Sequence, residues 1–168
     1  GSSQSFNLPV SVNVKDASDD PVGNFCSFDS GVGSNPGDLK VKIKDITVEG
    51  IGEDEDWVPL DKIEIEVKVE NNGDENVDNI DLEWGIYNQD NDEWVVDVDN
   101  VDDYDLNDND DETTTISFVI DEEDLDIDLD ELNDGDNYFL LVRATGEVDN
   151  ANNDDTCDSD SRSINIIV

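Results

Sequence analysis

Lys62–Glu70 reads KIEIEVKVE, and this stretch decides the fold. Ile63, Ile65, Val67 and Val69 alternate with Lys62, Glu64, Glu66, Lys68 and Glu70, so the aliphatic side chains share one face and the charges the other. Period two of this kind marks a strand with one face in a core and one in water. The pattern recurs in both directions. Upstream, Asp38–Glu49 (DLKVKIKDITVE) sets Leu39, Val41 and Ile43 in one phase, and Ile46 and Val48 resume it after Lys44-Asp45. A one-residue slip inside a strand predicts a β-bulge. Gly50–Asp56 reads as an acidic loop, and Trp57-Val58-Pro59-Leu60 leads into the quoted strand.

Downstream, Asn71-Asn72-Gly73-Asp74 is a turn signal. Asn79–Asn88 carries Ile80, Leu82, Trp84 and Ile86 on one face, and Glu93–Val98 returns with Trp94, Val96 and Val98 as its hairpin partner. Asp99–Glu112, DNVDDYDLNDNDDE, reads as a long acidic loop. Thr113–Asp121 is a strand with Ile116, Phe118 and Ile120 inward, and Glu122–Asp136 is a connection with a helical turn. Asn137–Thr145 is apolar on both faces, which predicts a central strand. Glu147–Ser161 reads as polar connection, and Ser163–Val168 closes the chain with Ile164, Ile166 and Val168. About eight short strands separated by turn signals predict an all-β protein, an antiparallel β-sandwich without helix or internal repeat.

Ahead of this body lies Ser5–Val14, SFNLPVSVNV. Phe6, Leu8, Val10, Val12 and Val14 alternate without a break with Ser5, Asn7, Pro9, Ser11 and Asn13. The expected organisation is a strand arm over 1–15, a Gly/Ser/Asp/Pro-rich linker or ordered loop over 16–37, and the sandwich over 38–168. Phe25 and Phe28 flank Cys26, so part of the linker is expected to pack on the body. A strand with one apolar face must bury it. It does so in its own domain or by completing the sheet of a second copy.

Forty-eight Asp and Glu oppose eight Lys and Arg, a formal charge of −40 on 168 residues with no His. Such a balance, with 35% hydrophobic residues, would ordinarily indicate disorder. The regular alternation argues for a folded protein instead. A charge of this size needs screening. High salt supplies it, since the Debye length falls to about 3 Å at 1 M, and so do hard cations on clustered carboxylates. A nucleic-acid partner or an anionic membrane surface is not expected, because neither finds a basic patch.

The even pair Cys26 and Cys157, in polar surroundings, predicts one disulfide and an oxidising, extracellular compartment. Two separate buried thiols are the alternative. No stretch approaches the ~20 apolar residues of a membrane span. No signal peptide is visible, and Gly1-Ser2-Ser3 reads as a cloning remnant or as the start of a processed chain.

Four candidate sites follow. The arm is a candidate donor strand that would press Phe6, Leu8, Val10, Val12 and Val14 into a neighbour, or else the domain's own first strand. For calcium, Asp97, Asp99, Asp102, Asp103, Asp105, Asn107, Asn109, Asp110 and Glu112 place oxygen ligands at near-alternate positions. Asp105-Leu106-Asn107-Asp108-Asn109 is half of a calcium loop, without its Gly and distal Glu. A solvated anionic surface suited to brine is the other reading. Trp57, Trp84, Trp94, Tyr87 and Tyr104 could stack on carbohydrate, but Trp84 and Trp94 fall in phase with core positions. Catalysis finds little support, since without His no Ser-His-Asp or Cys-His arrangement exists. The expectation is a protein that is not an enzyme.

The runs LKVKIKDITVEG, PLDKIEIEVKVENNGDENVDNIDLEWGIYN and GDNYFLLVRATGEVDN resemble the CARDB type of Ig-like domain over about Asp38–Asp149. Val69-Glu70-Asn71-Asn72-Gly73 is similar to that family's xVxNxG, and Gly135-Asp136-Asn137-Tyr138 to its GxY with one extra residue. Asp111–Phe118 lacks the family's usual Gly. The resemblance implies an extracellular, non-catalytic module of an archaeal or bacterial surface protein, with no active site. A leading strand before an Ig-like body is also similar in layout to filament subunits joined by donor-strand complementation. The expected function is therefore a secreted filament or pilus subunit, a homopolymer joined through its N-terminal strand, with calcium in its acidic loops. The alternative is an adhesin or binding module whose strand folds in cis.

Overall fold

A computed structural model describes residues 21–23, 25–27, 39–125, 129–150 and 154–168. The arm with Phe6, Leu8, Val10, Val12 and Val14 lies outside the described residues, as do Phe28 and most of the linker.

The quoted stretch is β3 (Lys62–Asn71), with Ile63, Ile65, Val67 and Val69 fully buried. On one side it pairs antiparallel with β1 (Leu39–Glu49), on the other with β6 (Asp111–Val119). The predicted bulge stands between Ile43 and Asp45 in β1, where it brings Ile46 back to the core. Opposite this three-stranded sheet lies a five-stranded one, ordered β2-β8-β7-β4-β5. Its members are β2 (Asp56–Trp57), β4 (Val77–Asn88), β5 (Glu93–Leu106), β7 (Tyr138–Val148) and β8 (Asp155–Ile166). The protein is thus all-β, with a two-sheet sandwich as expected. Strand β7 lies at the centre of its sheet, as its apolar run predicts, with Leu140, Leu141, Val142 and Ala144 buried. The connection after β6 holds a short 3-10 turn at Leu129–Glu131.

Three expectations are corrected. Most of Asp99–Glu112 is strand rather than loop: β5 runs on to Leu106, and β6 begins after a turn of four residues. Register shifts against β4 turn Val101, Tyr104 and Leu106 toward the core while the Asp side chains face water. The polar segment before Ser163 is strand from Asp155 onward, because it pairs with β7 over its whole length. The sandwich is also not purely antiparallel, since β2 runs parallel to β8.

Between the sheets, Trp84 stacks on Phe118 with ring centroids 4.7 Å apart, and Trp57 meets the same ring edge-on at 5.8 Å. These rings join the two layers. Asn71 is the matching polar tie. Buried, it donates from Nδ2 to the carbonyls of Glu75 (2.8 Å) and Asn107 (3.0 Å), and its Oδ1 accepts from Gly73 N–H (2.9 Å).

A second, smaller cluster covers the outer face of the five-stranded sheet. Phe25, Tyr87 and Leu141 are buried there, with Trp94 against them. The expected core placement of Trp94 is corrected here. A register shift pairs Trp94 with outward-facing Tyr87, and its ring lies across Gly85, where any Cβ would meet it at 2.8 Å. Cys26 is bonded to Cys157 of β8 as expected, and Arg143 of β7 donates from Nη1 to Phe25 C=O (3.0 Å) and from Nε to Glu83 (2.7 Å). Its guanidinium also lies 4.5 Å from the Phe25 ring centroid. Disulfide, cation–π contact and ion pair together hold residues 25–27 on the sheet.

Candidate functional site

A strand that seeks a partner needs an open sheet edge, so the edges are the first candidate. The outer edge of β1 is closed. Val41 N–H and Ile43 N–H, which point away from β3, donate to Asp158 (2.7 Å) and Asp160 (2.9 Å) of β8, and Arg162 donates to Ile43 C=O (3.1 Å). Side chains from the other sheet thus occupy the groups that a further strand would use. These residues were missed in the sequence because the segment read as connection. The available signal was Asp158, Asp160 and Arg162 at alternate positions, which a strand places on one face.

Edge β2 is only two residues long. Edge β5 is long but irregular, with three register shifts in its pairing to β4 between Leu82 and Tyr87. Bulges and inward or edge charges are the usual devices against strand addition, and β5 has both.

Edge β6 is different. It pairs with β3 through nine consecutive residues without a shift. Its parity is set at both ends. Asp110 C=O accepts from Asn71 N–H and Ile120 N–H donates to Asp61 C=O, so the even-numbered residues bond toward β3. Val119 N–H instead donates outward to the Asp124 carboxylate (2.9 Å). Thr113, Thr115 and Ser117 therefore point N–H and C=O away from β3, and no strand among the described residues pairs with them. β1 lies over β8 on one side of the sandwich, so β6 and β5 share the other side. There the inward residues Val95, Val101 and Tyr104 of β5 are only partly buried. The five-stranded sheet includes the two-residue β2, so three long strands face four.

Tyr104 packs against the core on this side. Its hydroxyl is buried and takes no hydrogen-bond partner among the described residues. Burial, with Asp102 and Glu112 nearby, pushes its phenol well above the ordinary range, so it stays a neutral O–H donor.

The expected calcium ligands divide among elements. Asp97, Asp99, Asp102, Asp103 and Asp105 lie along β5, Asn107, Asn109 and Asp110 in the following turn and Glu112 in β6, all exposed. Several take local roles: Asp105 accepts from Asn79 N–H (2.8 Å), and Asp99, Asp102 and Asp110 each accept from the next residue's N–H. Among the described residues no three His, Cys, Asp or Glu side chains converge as a metal-binding group. An extended strand spaces side chains of one face by about 6.6 Å, which keeps these carboxylates apart.

The five aromatics do not share a face. Trp57 and Trp84 are core, Trp94 and Tyr87 belong to the outer cluster, and Tyr104 packs against the margin of the core. The cations are uneven too, since Lys40, Lys42, Lys44, Lys62 and Lys68, five of the chain's eight, lie on β1 and β3.

No family model and no curated protein matches the chain. Among solved structures it is similar to the C-terminal domain of Wzt, with 17% identity, TM-score 0.51 and 82% of each chain covered. It also aligns with the sporulation control protein Spo0M of Bacillus subtilis at 15% identity and TM-score 0.40, over 79% of this chain and 50% of that one. A third match is the Pseudomonas fluorescens alkylpurine DNA glycosylase AlkC at 10% identity and TM-score 0.48, over 79% of this chain. The chain spans half the length of Spo0M and about a third (31%) of AlkC. These likenesses are ones of fold.

Proposed function

We propose that this protein is a non-catalytic structural subunit, secreted or displayed at a cell surface, that joins to copies of itself through Ser5–Val14. The observation that carries the reading is the unequal pair of sheets, three strands over five, in a chain that also holds a ten-residue stretch with an unbroken apolar face. Burying five such side chains is worth on the order of 10 kcal/mol before entropy costs. One copy's strand on the next copy's sheet edge is a head-to-tail contact, and such contacts propagate. The Cys26–Cys157 bridge supports an oxidising compartment, and the CARDB-like stretches agree with a surface module.

Deletion of residues 1–15 tests this. The truncated chain is expected to fold as a monomer that forms no filaments under electron microscopy, while the full chain assembles. A full chain that stays monomeric at high concentration, or a truncated one that assembles equally well, overturns the reading. A truncated chain that does not fold supports the alternative, an adhesin-like module with the strand in cis.

Calcium belongs to this reading as a shared counter-ion along β5 and the turn after it. At low ionic strength, millimolar calcium is expected to raise Tm several degrees above sodium chloride of equal ionic strength, and the difference is expected to vanish in 1 M salt. Thermal melts by circular dichroism measure both. Equal melts at low ionic strength remove calcium from the reading.

A further inference from the structure

The geometry points to the outer edge of β6 as the acceptor, taking Ser5–Val14 of a second copy as the fourth strand of the three-stranded sheet; this rests on the homopolymer reading above. Three observations converge on this edge. The other edges are capped, short or bulged, whereas β6 is regular over nine residues. Thr113, Thr115 and Ser117 offer alternate outward N–H and C=O groups, the spacing that strand addition uses. On the same side, Val95, Val101 and Tyr104 of β5 are half-buried, apolar surface against which the face carrying Phe6, Leu8, Val10, Val12 and Val14 would pack.

Length agrees as well. The apolar stretch has ten residues and β6 has nine. Six residues, 15–20, separate Val14 from Pro21, which is buried on the body beside Val22 of the outer cluster. Extended, they reach about 20 Å. Pro9, which lacks an N–H, suits a strand that becomes the new edge of the sheet.

Paired cysteines test the assignment in the full-length protein, with the native bridge formed. Thr115→Cys, on the water face of β6, is made in one population, and Asn7→Cys, Ser11→Cys or Asn13→Cys, on the polar face of the stretch, in another. Mixing and oxidising is expected to give a cross-link between chains for the substitution that lies opposite Thr115, because the partners come from different molecules. A second variant, Thr115→Pro, removes only an outward N–H. It is expected to melt within a few degrees of the parent and to fail to assemble. If filaments form but no cysteine pair links and Thr115→Pro still assembles, the acceptor edge is overturned while the homopolymer reading stands. If links arise only when both cysteines are in one chain, the strand is added in cis, and the inference and the reading beneath it both fail.

Discussion

Reduction of the Cys26–Cys157 bridge, or its replacement in a Cys26→Ser/Cys157→Ser variant, is expected to lower stability by about 5 kcal/mol. The bridge joins residues 131 apart, so without it the unfolded chain regains the freedom of a loop most of the protein long. For a chain of this size that loss corresponds to a fall in Tm of about 10–20 °C. The folded state loses something too. Phe25 is held over Trp94 and under the Arg143 guanidinium only while residues 25–27 stay on the sheet. The paired result is a red shift of tryptophan emission on reduction, before global melting, as Trp94 becomes wetter. Scanning calorimetry and fluorescence at matched ionic strength measure the two effects. A reduced protein with an unchanged melt would show that the sandwich does not depend on the bridge.

Asp61→Ala is expected to cost about 3 kcal/mol, or some 6–12 °C in Tm. Asp61 is buried, and its carboxylate accepts three backbone N–H groups: Ile51 at 2.8 Å, Gly52 at 3.0 Å and Val58 at 2.9 Å. It gathers the Gly50–Asp56 loop and the entry to β3 onto one anion, the charge-assisted bonds that are individually strongest. Gly50 and Gly52 make room, since a Cβ on either would fall within 2.6 Å of the carboxylate. Ala leaves three donors without an acceptor. Asp61→Asn keeps one acceptor oxygen and is expected to recover part of the loss. Urea titration separates the two variants. Equal stability of Asp61→Ala and the parent would mean that water replaces the carboxylate without cost.

The strands around Ile63–Val69 and Asn137–Thr145 were legible because burial of one face, or of both, writes itself into residue order at period two. The bulge after Ile43 was legible for the same reason, since a slip in pairing is a slip in alternation. The disulfide followed from an even count in polar surroundings. Strand β5 was not legible beyond Val98, because edge strands with bulges break the alternation and carry charge on purpose. Trp94 was misplaced for a related reason, since a register shift at Ile86–Tyr87 moves a residue across the sheet without changing its neighbours in sequence.

Residue order alone determined an all-β chain, its approximate strands, its extreme anionic charge and an N-terminal stretch with an unbroken apolar face. Which edge stands open depended on contacts between residues more than a hundred positions apart. Asp158 and Asp160 close β1 from the opposite sheet, whereas on β6 Asp110 and Asp124 take only the outward N–H groups at its two ends, Asp111 and Val119. Alternation is a property of neighbours along the chain, whereas an edge is a property of what fails to arrive beside it, and only the assembled sandwich decides that.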